Sequence, residues 1–218
     1  MVGYSPRGRG LFRSIDVPIS RRAFLEKAVA GAALVYLPAA YSWADEARSS
    51  ISPAVLRGAL NALERHGANI PHRDVIGIAD FSLPSNAPRF HLLTLADGRV
   101  RSHLVAHGRG SDPAHTGWLE RFSNEPHSYA TSAGAFQTQD LYHGEHGQSI
   151  RLEGLDASNS NAASRAIVVH GAWYVSDDIA KDRGVLGRSE GCFAVAPSSI
   201  AEVLASLGSG RLIYAGKT

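Results

Sequence analysis

Cysteine is nearly absent from this chain: Cys192 is the only one in 218 residues. No intramolecular disulfide is therefore available to hold the fold together. A lone cysteine is either a small buried apolar residue or a reactive thiol. Long apolar stretches are missing too. The run over residues 28–41 is interrupted by Pro38, and its uninterrupted part falls short of the roughly 18–20 residues that a membrane-spanning helix needs. No internal repeat is visible, and the one stretch of low complexity, residues 156–164, reads as a surface loop. A basic excess is missing once the chain is divided. Residues 1–44 hold six of the 22 lysines and arginines but only two of the 20 acidic residues, so the remainder is slightly acidic before histidine. No electrostatic case for nucleic acid survives. What is present is ordinary for a globular domain, with 44% apolar and 19% charged residues.

The basic N-terminal part has its own logic. Ser20-Arg21-Arg22-Ala23-Phe24-Leu25 precedes the short apolar run, and Ser42-Trp43-Ala44 places small residues where a signal peptidase cuts. Paired arginines before Phe-Leu resemble a twin-arginine export signal. The expectation is a signal peptide over residues 1–44, cleavage after Ala44, and a mature protein in the periplasm or another extracytoplasmic space. No stable membrane span would remain. The absence of cysteine near the cleavage site excludes lipoprotein attachment.

After this leader, residues 53–66 read as a helix, with Ser52 as N-cap, Pro53 at the first position and Leu56, Leu60 and Leu63 at helical spacing. Short strands follow at residues 75–80, 89–95, 100–107, 134–138, 149–155, 165–170, 192–195 and 211–215, with a long turn-rich loop over 111–127. Residues 198–207 form an amphipathic helix. The expected fold is a mainly β single domain with peripheral helices. Residues 45–80 would be an N-terminal helix and linker, and residues 81–218 the catalytic core.

Three segments carry chemistry. Thr131-Ser132-Ala133-Gly134-Ala135-Phe136 opens a strand, Ile167-Val168-Val169-His170-Gly171 ends one on a histidine, and Ser189-Glu190-Gly191-Cys192 sets glycine before the thiol. An ordinary thiol is mostly protonated at neutral pH, so it needs a base to become a nucleophile. His170 at a strand end is held in place. Gly171 leaves room beside the ring, and nearby backbone carbonyls can orient its second nitrogen. Gly191 lets backbone N–H groups face a developing oxyanion.

In order and spacing these segments resemble the L,D-transpeptidase (YkuD-like) catalytic domain, and more narrowly the subgroup of murein L,D-transpeptidases. The resemblance rests on His170-Gly171-Ala172-Trp173-Tyr174-Val175-Ser176 and Gly187-Arg188-Ser189-Glu190-Gly191-Cys192-Phe193-Ala194. It implies an L,D-transpeptidase-like β-sandwich and a cysteine acyltransferase acting on peptidoglycan stem peptides as donor and acceptor. Cys192 would be nucleophile, His170 base, Gly171 the backbone that orients the base, and Gly191 with Cys192 the oxyanion donors. No metal or organic cofactor is implied. The position before the Gly-Cys pair, often histidine in the family, is Glu190, whose charge would raise the pKa of the thiol unless it points away.

Secondary roles at the substrate fall to Arg188 and Ser189, then Tyr174 and His107. His143 and His146, spaced as His-x-x-His in a glycine-flanked loop, read as surface histidines rather than a metal pair. Alternatives stay open: an L,D-carboxypeptidase using the same dyad with water as acceptor, a silent peptidoglycan-binding module, or a zinc hydrolase.

Overall fold

The computed structural model describes residues 50–218, and the expected signal peptide lies outside them. Helix α1 (Pro53–Arg65) opens the described chain, with Pro53 in its first turn as its fixed φ allows. Ser52 makes no side-chain cap. Its backbone N–H goes instead to the Asp80 carboxylate at 2.7 Å, tying the helix start to a strand end. Among the described residues, no helix is long and apolar enough to cross a membrane.

Nine strands follow: β1 (Val75–Asp80), β2 (Phe90–Thr94), β3 (Val100–His103), β4 (Val105–Ala106), β5 (Gly134–Gly144), β6 (Gly147–Gly154), β7 (Val168–Gly171), β8 (Phe193–Val195) and β9 (Leu212–Gly216). They form one mixed sheet in the order β3-β2-β1-β9-β5-β6-β7-β8-β4. Laid flat, nine strands would span about 38 Å from first to last. Yet the two edges, β3 and β4, are separated only by Leu104, a step of at most ~7 Å. The sheet must therefore roll until its edges meet. The single strand expected over residues 100–107 is in fact two, one on each edge, with Leu104 as the corner.

The roll has an inside and an outside, and strand alternation sorts the residues between them. Phe90, Leu92, Phe136, Ile150, Val169, Phe193, Val195 and Ile213 fill the inside. On one outer face Ile76, Ile78, Leu93, Ala135 and Leu212 meet Val55, Leu56, Ala59 and Ala62 of α1. Strand β1 pairs with both β2 and β9, so residues 50–80 belong to the same packed body as the strands that follow.

On the other outer face lie Ala106, Ala172, Val175 and Ala194, beside α2 (Asp177–Arg183). Sequence periodicity did not indicate this seven-residue helix, which has no buried residue. Its local signals are the Ser176 cap, accepting from the Ile179 N–H at 3.1 Å, and Gly184 in the left-handed region. Helix α3 (Ile200–Leu207) buries Val203, Leu204 and Leu207.

Candidate active site

Strands β7 and β8 run parallel, with Val169 opposite Phe193 and His170 opposite Ala194. Val169 and Phe193 point into the core, so their neighbours His170 and Cys192 emerge together on the outer face. Both line one open cavity of about 780 Å³.

His170 is buried, and its Nδ1 lies 2.9 Å from the Gly171 carbonyl. A carbonyl only accepts, so Nδ1 carries the hydrogen and Nε2 is left with a free lone pair. Burial holds the pKa of His170 below the ordinary histidine value; His146 adds to this, and the Gly171 carbonyl opposes it. The ring is therefore neutral at pH 7, in the state a general base requires.

Cys192 is half-buried, and its thiol hydrogen-bonds the Ala166 carbonyl at 3.6 Å. Among the described residues no hydrogen bond joins it to His170; the two meet only through the shared cavity. Burial pushes the thiol pKa up. The Val168 N–H and the Arg165 guanidinium pull it down, while Glu190 pushes it further up. The resting pair is thus thiol and neutral imidazole, not an ion pair. Ala166 (φ +52°), His127 (+60°) and Tyr129 (+53°), all in the same cavity wall, have left-handed backbone. Left-handed backbone is unfavourable for such residues and gathers at functional sites.

The loop before the thiol is braced at both sides. Ser189 is buried, donates its hydroxyl to the Cys192 carbonyl at 2.7 Å, and accepts from the Gly191 N–H at 3.1 Å. The Gly191 N–H, expected to face the oxyanion, is bonded to the Ser189 hydroxyl in this structure. What Gly191 supplies is shape: φ is +121°, and a Cβ there would sit 2.8 Å from the Ala130 carbonyl oxygen. Arg188 lines the cavity but spends its guanidinium on the carbonyls of Asp112 and Pro113. Tyr174 lines it as well, its hydroxyl pushed up to about 12 by burial and by the charges of Cys192 and Glu190.

His107 does not reach the cavity. Val105 faces inward and Ala106 outward, so alternation turns His107 back into the core. There Nδ1 accepts from Arg89 at 2.8 Å and Nε2 donates to Asp112 at 3.3 Å. Burial and the Arg89 charge bring its pKa down to about 3, so it is a neutral relay between two buried ions. Only its backbone serves the site, accepting from the Ser189 N–H at 2.9 Å.

Two contributors escaped sequence reasoning. Arg165 donates to Ser123 O, Ser132 Oγ and Ala130 O at 2.8, 2.7 and 2.5 Å and sets a cation near the thiol. His146 is an exposed loop residue, as expected, yet its ring stacks on His170, centroids 4.3 Å apart and planes 24° apart. His143 lines a different cavity, with Leu141 and Ala201. The local spacing of these histidines hides which strand each one meets. The low-complexity stretch is also more than surface, since Asn159 is fully buried and bonds the Ala135 carbonyl at 2.7 Å.

Known proteins bear on this geometry. A family model described as L,D-transpeptidase catalytic domain matches residues 47–215. Similar solved structures include an L,D-transpeptidase in complex with imipenem, with 18% identity, 66% of this chain and 59% of that one covered, and a TM-score of 0.40. One from Mycobacterium smegmatis has 16% identity, 66% and 58% coverage, and 0.40. One from Xylanimonas cellulosilytica has 18%, 72% and 68%, and 0.40. The chain thus spans under two thirds of the length of the first two. No curated protein matches the sequence. The family model covers most of the chain, β7 and β8 included, and the chain belongs to the L,D-transpeptidase catalytic domain family.

Proposed function

We propose that this protein is an exported cysteine peptidyl-transferase, an L,D-transpeptidase acting on peptidoglycan tetrapeptide stems. The observation that carries the reading is the pairing of a half-buried thiol with a neutral, tautomer-locked imidazole on one face of two adjacent strands, lining one cavity. Sγ leaves the Ala166 carbonyl by rotation about χ1 and attacks the stem's third-residue carbonyl as Nε2 of His170 takes its proton. The imidazolium returns that proton to the departing D-alanine amine. A second stem's amine, deprotonated by the same nitrogen, then resolves the thioester. Partial burial suits this sequence, because a neutral pair costs less to desolvate than separated charges. The leader's arginine pair supports export by the twin-arginine route.

Intact-mass spectrometry after incubation with a carbapenem tests the reading. The wild type should gain one adduct, localised to Cys192, and Cys192→Ala should gain none. A wild type that stays unmodified and inactive on tetrapeptide stems would leave a silent wall-binding module. Product analysis with and without an acceptor stem separates transfer from hydrolysis, since tripeptide alone identifies a carboxypeptidase.

A further inference from the structure

His146 sits at the tip of the β5–β6 hairpin, where Gly144 pairs with Gly147 and Glu145 and His146 form the loop between them. Gly147 has φ +77°, the left-handed residue that commonly follows a tight turn in such hairpins. Strand β6 pairs with β7, Ser149 lying opposite His170. The tip therefore overhangs the end of β7, and the imidazole of His146 comes down flat on that of His170. Nothing in the hairpin itself requires this: His146 is exposed, and its ring makes no hydrogen bond among the described residues.

We propose that His146 is a positioning residue of the acyl-transfer site, fixing the plane of the His170 ring from above while the Gly171 carbonyl fixes its rotation. Two constraints then define the base, one on its edge and one on its face. A free imidazole on a single hydrogen bond can tilt about that bond; a stacked one cannot without losing ring contact. Small tilts matter because misplacing a reacting group by about 1 Å can cost 10²-fold. The stack also shields one face of His170 from water and sets a second titratable ring against it, and both effects hold the base neutral. The other ionisable groups around the cavity are His127, Tyr129, Arg165, Tyr174, Arg188, Glu190 and Cys192, with Glu145 beside His146.

This inference rests on the acyl-transfer reading, and the test separates the two. Carbapenem acylation of Cys192 is followed by mass across pH for the wild type, His146→Ala and His146→Phe, alongside an NMR titration of the His170 ring. An unmodified wild type would fail the reading itself, while the titration still reports on the stack. The expected result is a loss of roughly tenfold in acylation rate for His146→Ala, with the His170 pKa moved up toward the ordinary value and the melting temperature little changed, as for an exposed residue. His146→Phe keeps a flat ring and should recover most of the rate. Wild-type acylation and an unmoved His170 titration in His146→Ala would overturn the proposal. So would an equal loss in both variants, which would exclude ring stacking as the cause.

Discussion

Glu190, the residue two before the thiol, turns its carboxylate onto Arg109 at 2.8 Å, and Arg109 in turn lies over the Tyr129 ring at 3.9 Å. The acidic neighbour that looked harmful in the sequence is thus held by a partner, although its charge still nudges the thiol pKa upward. Arg109→Ala releases it. Alkylation of Cys192 by iodoacetamide should then titrate at higher pH, and Glu190→Gln should move the titration lower. Both groups are well exposed, so the rate change at neutral pH stays below about tenfold and shrinks with added salt. Shifts of the same sign in the two variants would contradict this account.

Arg165 should matter more. It holds three acceptors at once and, among the described residues, is the cation whose charge lowers the thiol pKa. Arg165→Gln is expected to raise that pKa and, by stranding buried acceptors, to destabilise by about 1–3 kcal/mol. Arg165→Lys keeps the charge but loses the fork, so it should recover reactivity without recovering stability. Denaturant melts beside alkylation kinetics distinguish the two effects.

Gly191→Ala combines strain with collision. At φ +121° a side chain is disfavoured, and the new Cβ would meet the Ala130 carbonyl, a backbone atom that cannot swing aside. A loss of about 1–3 kcal/mol and a displaced thiol should abolish acylation. A crystal structure of the variant with an unmoved Cys192 would refute the second part.

Acid should weaken the fold early. His91 is held at about 4 and His107 at about 3, chiefly by burial, and Nε2 of His91 has no partner. An unfolded histidine titrates near 6.5. Between that value and the folded pKa the unfolded chain binds protons that the native protein refuses, so stability falls as pH falls. By about pH 4.5 each ring removes on the order of 2–3 kcal/mol. Melting temperatures measured from pH 7.5 down to 4.5 should decline from about pH 6.5; a flat profile would show that these rings are not buried neutral.

Much of this was legible in the sequence because it is local. Apolar segments between turn formers mark the strands, and the expected strand over residues 75–80 coincides with β1. The Cys192 and His170 motifs depend on chain order, which a sequence displays directly. What could not be read is what depends on rolling the sheet. Residues 100–107 look continuous because the corner at Leu104 has no breaker residue. His107-Gly108 reads in the sequence as a strand end near the site, but side-chain alternation sends the ring into the core. Arg165 sets its charge near the thiol from a loop, and His146 stacks on His170 across a strand pairing, neither of which local spacing encodes.

The braced loop and the parallel ladder set a counting rule for the protein's evolution. Ser189 is anchored to the backbone beside Gly108, and Phe193 is paired with Val169. Only three residues, Glu190, Gly191 and Cys192, bridge the two anchors. Adding or deleting one residue there, if β8 slipped to absorb it, would send the sulfur into the aromatic core and bring a neighbouring side chain out in its place. Length variation in this family member should therefore accumulate upstream of Ser189, in residues 177–187, while the three-residue bridge keeps its count even where its residue identities change.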